Sequence, residues 1–432
     1  MGVIVHESSD NFCGARRIGA RDTWDAGAAF ACLSSRYQKL SVGCSTVRGM
    51  KILHTSDWHI GRTFHGVDLL EDQCAVLDAM AKITADREID VVLISGDVYD
   101  RAVPSADAVK LCNDAFEKLH AAGAMIIATP GNHDSAPRLG AGAAFSGAGG
   151  LYLKTTVAEV DAPVVLADAH GDVAFYGLPY LEPEAVKAEL GVFEARSHQD
   201  VLSAAMDRVR ADVERRQSGL RSVVLAHAFV VGAVASESER PITVGGVETV
   251  PASIFGGVDY VALGHLHTPQ VVNETTRYSG SPLPYSFGER DHRKSVWIIE
   301  LNDAGVESIE KVDLPVVRGL SEITGPLDEL LSSEVYANCL DDYVSAILTD
   351  PVRPVDAMRK LQERFPHAVH LRWERPTERV ALRYAERLRG QSDLDIARRF
   401  FEDAWTDPDE EHLRLVEQAL AAGDSRERRA SA

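Results

Sequence analysis

The sequence predicts an α/β fold, and three observations predict it. Short apolar runs rich in β-branched residues, the composition of strands buried on both faces, alternate with longer segments of helical period. Each of five such runs stops where a polar motif begins. From about Val316 the alternation becomes shorter, which marks a second, smaller unit.

Taken in order, Lys51-Ile52-Leu53-His54 is the first strand and leads into Asp57-Trp58-His59. A helix is expected over residues 69–88. The run Asp90-Val91-Val92-Leu93-Ile94 then opens onto Gly96-Asp97-Val98-Tyr99-Asp100. A second helix follows over 105–122, with the Ser105 hydroxyl placed to cap its first turn. Ala124-Met125-Ile126-Ile127-Ala128 runs into Gly131-Asn132-His133-Asp134. After a strand over 173–178 and a helix over 199–217, Ser222-Val223-Val224-Leu225-Ala226 ends at His227, and Tyr260-Val261-Ala262-Leu263 ends at Gly264-His265-Leu266-His267. A strand over 295–301 closes the series. Ligands of open α/β sheets gather beyond the carboxyl ends of the strands, so this placement brings distant residues into one site. Gly96, Gly131 and Gly264 are expected to let the backbone turn sharply there.

The chemistry lies in the combination. One strand-end Asp is usually a cap or turn residue, and His227 alone says less. Gly-Asn-His-Asp and Gly-His-x-His are more specific, because several polar groups after a buried strand are poorly satisfied unless something binds them. Carboxylates, an amide and imidazoles together make a hard-oxygen and borderline-nitrogen set, which suits a pair of divalent ions rather than a structural zinc. Metal-dependent phosphoester hydrolysis is the expected reaction.

The order Asp-x-His, Gly-Asp-x-x-Asp, Gly-Asn-His-Asp, His, Gly-His-x-His resembles the signature of the calcineurin-like metallophosphoesterases. Residues 50–62, the stretch Ser95-Gly96-Asp97-Val98-Tyr99-Asp100-Arg101, and Tyr278-Ser279-Gly280-Ser281-Pro282-Leu283-Pro284-Tyr285-Ser286-Phe287 are similar to the bacterial SbcD nuclease subunits. The likeness covers roughly residues 50–373 and is stronger in the first two thirds. It implies a four-layer sandwich, two mixed β-sheets flanked by helices, followed by a small α/β capping domain and a C-terminal helical tail. One ion is then expected on Asp57, His59, Asp97 and His267, and a second on Asp97, Asn132, His227 and His265, with Asp97 bridging. His133 is implied as a catalytic residue that hydrogen-bonds the phosphoryl oxygen or protonates the leaving oxygen, with Asp134 orienting its ring. Manganese is the implied metal; the residues themselves leave magnesium, iron and zinc open. The implied activity is that of a DNA exonuclease and endonuclease acting at ends and hairpins in repair and recombination. The implied partners are DNA, an SbcC-like coiled-coil ATPase and a second nuclease subunit, paired through helices near 68–80 and 103–119.

Composition agrees. A chain of 432 residues with 45% apolar content can bury a full core and suggests two or three domains. A net charge of −20 does not favour DNA binding by this chain alone, so a basic partner is expected. No apolar stretch approaches the roughly 20 residues that cross a bilayer. Six cysteines, Cys13, Cys32, Cys44, Cys74, Cys112 and Cys339, lack both zinc-site spacing and disulfide-scaffold density, as expected of free thiols in the cytoplasm.

Four segments are expected. Residues 1–49 mix Gly, Ala, Ser and Arg with little periodicity, and read as a disordered extension or a mis-assigned start, with Met50 as the natural one. Residues 50–315 form the nuclease domain and 316–374 the capping domain, with helices over 327–331 and 355–365 and strands over 343–348 and 368–373. Residues 375–432 form a charged helical tail, in which Ser392 caps a helix carrying Leu394, Ala397, Phe401 and Trp405, and Asp407-Pro408 opens another carrying Leu413, Val416 and Leu420. Docking onto the ATPase is its expected role. Arg62, His65, Arg101 and Arg138, and the later group Arg290, His292, Arg293 and Lys294, are either DNA-phosphate contacts or solvated charges. Two other readings compete: a small-molecule or cyclic-nucleotide phosphodiesterase, which needs neither cap nor tail, and a non-catalytic scaffold, which needs no ligand set.

Overall fold

The computed structural model describes residues 48–216, 219–230, 233–234, 238–239, 249–374, 391–404 and 411–420. The strands are β1 (Lys51–Thr55), β2 (Val91–Ser95), β3 (Met125–Thr129), β4 (Leu151–Leu153), β5 (Val164–Asp168), β6 (Gly171–Gly177), β7 (Arg221–His227), β8 (Tyr260–Gly264), β9 (Gln270–Val271), β10 (Thr276–Tyr278), β11 (Ser295–Asn302) and β12 (Gly305–Asp313). They form two six-stranded mixed sheets, in the orders β12-β11-β1-β2-β3-β4 and β9-β10-β8-β7-β6-β5. The neighbours β1, β2, β3 and β4 run parallel, as do β6, β7, β8 and β10.

The sheets face each other across a buried layer in which Ile52, Leu93 and Ile127 of one meet Phe175, Val223 and Tyr260 of the other. Helices α1 (Leu70–Asp86) and α2 (Ala106–Ala121) cover the outer face of the first sheet through Val76, Met80, Cys112 and Leu119. Helix α3 (His198–Arg215) covers the second through Val201, Ala205, Met206 and Val209. This is the four-layer arrangement expected. Ser105 caps α2 by accepting the Ala108 N–H, and a Ser197–Asp200 capping box starts α3.

A further three-stranded parallel sheet follows: β13 (Leu320–Gly325), β14 (Tyr343–Leu348) and β15 (Ala368–Trp373), with α4 (Leu327–Ser332) and α5 (Ala357–Arg364) closing its own small core around Leu330, Val344, Leu361 and Phe365. It meets the larger unit where Tyr343 donates to Asp72 of α1 at 2.8 Å and the His370 and His65 rings stack at 4.8 Å. In the tail, α6 (Asp393–Ala404) starts at Ser392, whose hydroxyl accepts the Asp395 N–H, and residues 411–420 are helical. None of the side chains described in these two helices is buried. Residues 1–47, Trp405 and Asp407-Pro408 lie outside the described residues.

Strands β4, β5, β9, β10, β12 and β13 were not anticipated. β12 explains why: of its nine residues, Gly-Val-Glu-Ser-Ile-Glu-Lys-Val-Asp, only Gly305 is buried, and an edge strand with one wet face carries little apolar signal.

Candidate metal centre

Every residue anticipated for the site sits at or just past the end of a strand, and the two sheets bring them together. From the first sheet come Asp57 and His59 after β1, Asp97 after β2, and Asn132 and His133 after β3; from the second come His227, the last residue of β7, and His265 and His267 after β8. The loops are tied across by backbone hydrogen bonds from Asp57 N to Gly96 O and from His59 N to Asp97 O. The sheets themselves are linked by the Ser95 hydroxyl, which donates to Ala262 O at 2.9 Å, and by His54, whose ring meets Tyr260 and the Leu263 carbonyl. His54 is therefore a satisfied core residue.

The Asp97 carboxylate is central. Its Oδ2 lies 3.4 Å from His227 Nε2, 3.6 Å from His59 Nε2 and 4.0 Å from His133 Nε2, while Oδ1 accepts the His133 N–H at 2.9 Å. Three overlapping sets of donor atoms converge to within 4.8 Å: Asp57 with His59 and His267, Asp57 with Asp97 and His227, and His59 with Asp97 and His133. Asn132 joins through Oδ1, 3.0 Å from His227 Nε2. His265 stands with its ring 5.3 Å from that of His227, and its backbone N–H donates to both oxygens of Asp57.

The donors fit divalent ions. His227 Nδ1 lies 3.0 Å from the Ser95 carbonyl, which can only accept, so that nitrogen carries a proton and Nε2 is turned toward Asn132 and Asp97. His59 Nε2 and His267 Nε2 point at each other across 3.1 Å, and His59 Nδ1 has no hydrogen-bond partner among the described residues. Buried ring nitrogens and carboxylate oxygens crowded this closely are ligands in search of a cation. Burial drives His59 well down and His265 down to about 3, which leaves both rings neutral and able to coordinate. Burial pushes Asp57 up to about 6, against the pull of His227 and His267. For Asp97 burial also pushes up, but His227, His59 and His133 outweigh it and hold it well below the usual carboxylate range. Burial lowers His227, but Asp97 and Asp57 outweigh it and push it up to about 9. The site therefore contains an ionised Asp97 beside the neutral His59 and His265 rings, and the His/Asp cluster suggests a binuclear divalent metal site.

Four of these residues carry backbone strain that sequence does not show. Asp57, His59, Asp97 and His265 have φ of +52°, +45°, +49° and +105°, conformations that non-glycine residues keep only where the surroundings impose them. Gly96 supplies the anticipated turn, with φ +85°. Gly131 and Gly264 serve close approach instead: a Cβ on Gly131 would fall 2.1 Å from Asp97 Oδ1, and one on Gly264 would fall 1.8 Å from Ser95 O.

Asp134 differs from expectation. Its two oxygens accept the backbone N–H groups of Val98, Tyr99 and Gly131, while the His133 ring is held by the Asp100 carbonyl, 2.8 Å from Nδ1. Asp134 thus ties the second and third loops together, and burial together with the nearby Asp97 charge pushes it up to about 7. Gln73 was missed. Buried in α1, it accepts the Gly61 N–H and donates to His59 O at 2.8 Å, pinning the first loop. The available signal was a polar residue in line with Leu69 and Leu77 on an otherwise apolar helix face.

The charged candidates divide. Arg62 is committed to Asp100, to the Ser238 carbonyl and to the face of Tyr285, and Arg138 donates to Ala102 O. Lys294 is buried against Glu289. Arg101 and Arg290 pair with Asp100 and Asp291 at 3.6 and 3.7 Å, with side chains 72% and 43% exposed. A cavity of about 300 Å³ lined by His65, Tyr285, Phe287, His370 and Arg372 lies between the small unit and the larger one. The Tyr285 ring also stands against His59 and His267.

Among the described residues no helix is long and apolar enough to cross a membrane. Solved structures with similar folds include TT1561 of Thermus thermophilus, 15% identical over 63% of this chain and all of that one with a TM-score of 0.37. A dimetal phosphatase from Danio rerio is 12% identical over 62% of this chain and all of that one, with a TM-score of 0.40. Likeness at that level says nothing about function. Residues 316–404 match the SbcD_C family, described as the type 5 capsule protein repressor C-terminal domain. Residues 50–269, half of the chain and the whole span from the first ligand strand to the last Gly-His-x-His motif, match the calcineurin-like phosphoesterase family. With that match and the Asp97-centred cluster at the meeting of two sheets, this protein belongs to the calcineurin-like phosphoesterases.

Proposed function

We propose that this protein is a metal-dependent DNA nuclease of the SbcD type, hydrolysing phosphodiester bonds at DNA ends and hairpins with an SbcC-like ATPase as partner. The observation that carries this reading is the coexistence in one chain of the Asp97-centred cluster and a C-terminal region matching SbcD_C. In this reading Asp57, His59, Asp97 and His267 hold one ion, and Asp97, Asn132, His227 and His265 hold the other. Bound ions, manganese in this proposal, supply a polarised phosphoryl oxygen and an activated water.

The protein's own residues do the rest. His133, fixed through Nδ1 by Asp100, presents Nε2 beside Asp97, where it donates to a phosphoryl oxygen or passes a proton to the departing oxygen. Asp134 acts on it by holding the loop. In this reading the unit at 316–374 caps the site; with Phe287 and Tyr285 it lines the neighbouring cavity.

The test is manganese-dependent hydrolysis of linear duplex DNA, hairpin DNA and a panel of cyclic nucleotides, with His133→Ala and Asp97→Ala beside the wild type. DNA cleavage is expected, falling by about 10²- to 10⁴-fold in His133→Ala with bound metal retained. Asp97→Ala is expected to lose metal and activity together. Cyclic-nucleotide turnover with DNA untouched, even with the ATPase added, would assign the site to small substrates.

A further inference from the structure

Behind one of the converging histidines stands a buried ion pair that reaches it by two routes. Lys294 Nζ donates to the His267 carbonyl at 2.8 Å, to Ser281 Oγ at 2.9 Å and to the Glu289 carboxylate, so its three protons have three acceptors. Glu289 is fully buried and accepts from the Ser238 hydroxyl, from Ser286 Oγ at 3.1 Å and from Tyr285 N at 3.3 Å. Ser238 Oγ in turn lies 2.5 Å from His267 Nδ1.

Proton counting fixes the direction of this relay. Glu289 is paired with the Lys294 ammonium and accepts the Tyr285 N–H, groups that can only donate, so it is an ionised acceptor. The single Ser238 proton therefore goes to Glu289. The hydroxyl then offers only lone pairs to Nδ1, so His267 carries its proton there and leaves Nε2 bare. That nitrogen faces His59 Nε2 and the carboxylates. Stability alone does not account for the arrangement, since apolar side chains of similar volume often replace a buried ion pair without loss.

We propose that Glu289 and Lys294, acting through Ser238, are positioning residues that hold His267 in the Nδ1-protonated form and fix the depth at which its Nε2 meets a divalent ion. This rests on the metal-centre reading above. Lys294 grips the backbone of the ligand and Glu289 its ring. Partners of this kind behind a metal-binding histidine raise its basicity and set its orientation.

The test is a calorimetric manganese titration of the full chain after chelation, with ¹⁵N spectra of histidine-labelled protein in the metal-free state, the His267 signals being those lost in His267→Gln. Ser238→Ala is expected to weaken uptake at one site by about 10- to 100-fold and to turn His267 into a mixture of tautomers. Ser238→Thr, which keeps the hydroxyl, restores both. The double variant Glu289→Gln with Lys294→Met leaves no unpaired charge and is expected to reproduce the Ser238→Ala loss without a change in thermal midpoint. Unaltered affinity and tautomer in Ser238→Ala and in the double variant overturn the proposal. If the wild type takes up no manganese, the metal-centre reading fails separately. The spectra still decide the clamp in that case: a mixed His267 tautomer in the wild type overturns it, and an Nδ1–H form lost in Ser238→Ala supports it.

Discussion

Asp97 is held in place before any ion arrives. Its backbone is in the left-handed region, its carbonyl accepts the His59 N–H, and its carboxylate accepts the His133 N–H. Strained φ values of this kind cost about 1–3 kcal/mol each, and the neighbouring loops supply the contacts that impose them. Gly131 makes the arrangement possible, since any side chain there meets Asp97 Oδ1 and N at 2.1 and 2.4 Å. Gly131→Ala is therefore expected to leave the fold intact, displace the carboxylate and strip the bound metal. Elemental analysis of the purified variant checks this, and a full complement of metal would show that the close approach is not required. The motif residues themselves were legible in the sequence because each follows a buried strand and lacks a structural reason to be polar. Ser238 and Glu289 were not, because they meet His267 only after folding, and the hold of Asp100 on His133 was hidden because it acts there through its carbonyl, which every residue has. Lys294 read as one of a surface group with Arg290 and Arg293, because sequence neighbours on a loop give no sign of which side chain turns inward.

At the level of elements, legibility followed burial. β2, β7 and β8 are buried at every position and appear as continuous apolar runs, so their limits were close to those observed. The edge strands β5 and β12 bury only Gly305 between them and were lost among the loops. β5 matters nonetheless, because Asp168 at its end takes two hydrogen bonds from Arg221 of β7, at 2.6 and 2.8 Å, and one from the Met50 N–H beside β1. Arg221 also donates to Asn302 O, so a single buried pair fastens the second sheet to two strands of the first. Asp168→Asn leaves the guanidinium uncompensated and is expected to cost about 3–5 kcal/mol, read from urea denaturation at pH 7. Burial pushes the Asp168 carboxyl up, but Arg221 and the His170 and Met50 N–H groups outweigh it and hold it below its usual value. A depressed carboxylate contributes its full stabilisation above the unfolded pKa of about 3.9 and loses it as pH falls through the folded value. The gap between wild type and variant should thus be constant from pH 7 to 5 and shrink below about pH 4. A gap that widens on acidification would show that the pair does not set the pH response.

For the whole molecule, the four-layer catalytic unit and the small third sheet each close their own core, while the described residues of the tail do not. Leu394, Ile396 and Ala397 of α6 are only half-buried, and Leu415 and Leu420 of the helix at 411–420 are 53% and 36% exposed. The apolar spacing that makes these helices legible in sequence is the same spacing that makes them available to a partner, because no described core takes it up. The matched C-terminal family ends at residue 404, so it takes in α6 but not the final helix. A chain with 65 acidic and 45 basic residues gains little DNA affinity from its own net charge, which gives the proposed docking of a basic partner a physical purpose. Deleting the residues after Gly390 removes no buried side chain among those described and leaves the Asp97 cluster, the relay behind His267 and the small sheet in place. The truncated chain is expected to bind manganese and hydrolyse a small phosphodiester as the full chain does, and to fail to co-purify with an SbcC-like ATPase or to gain DNA cleavage from it. Co-purification at full-length levels would move the contact surface to the catalytic unit or the cap; loss of hydrolysis as well as binding would make the tail part of the fold.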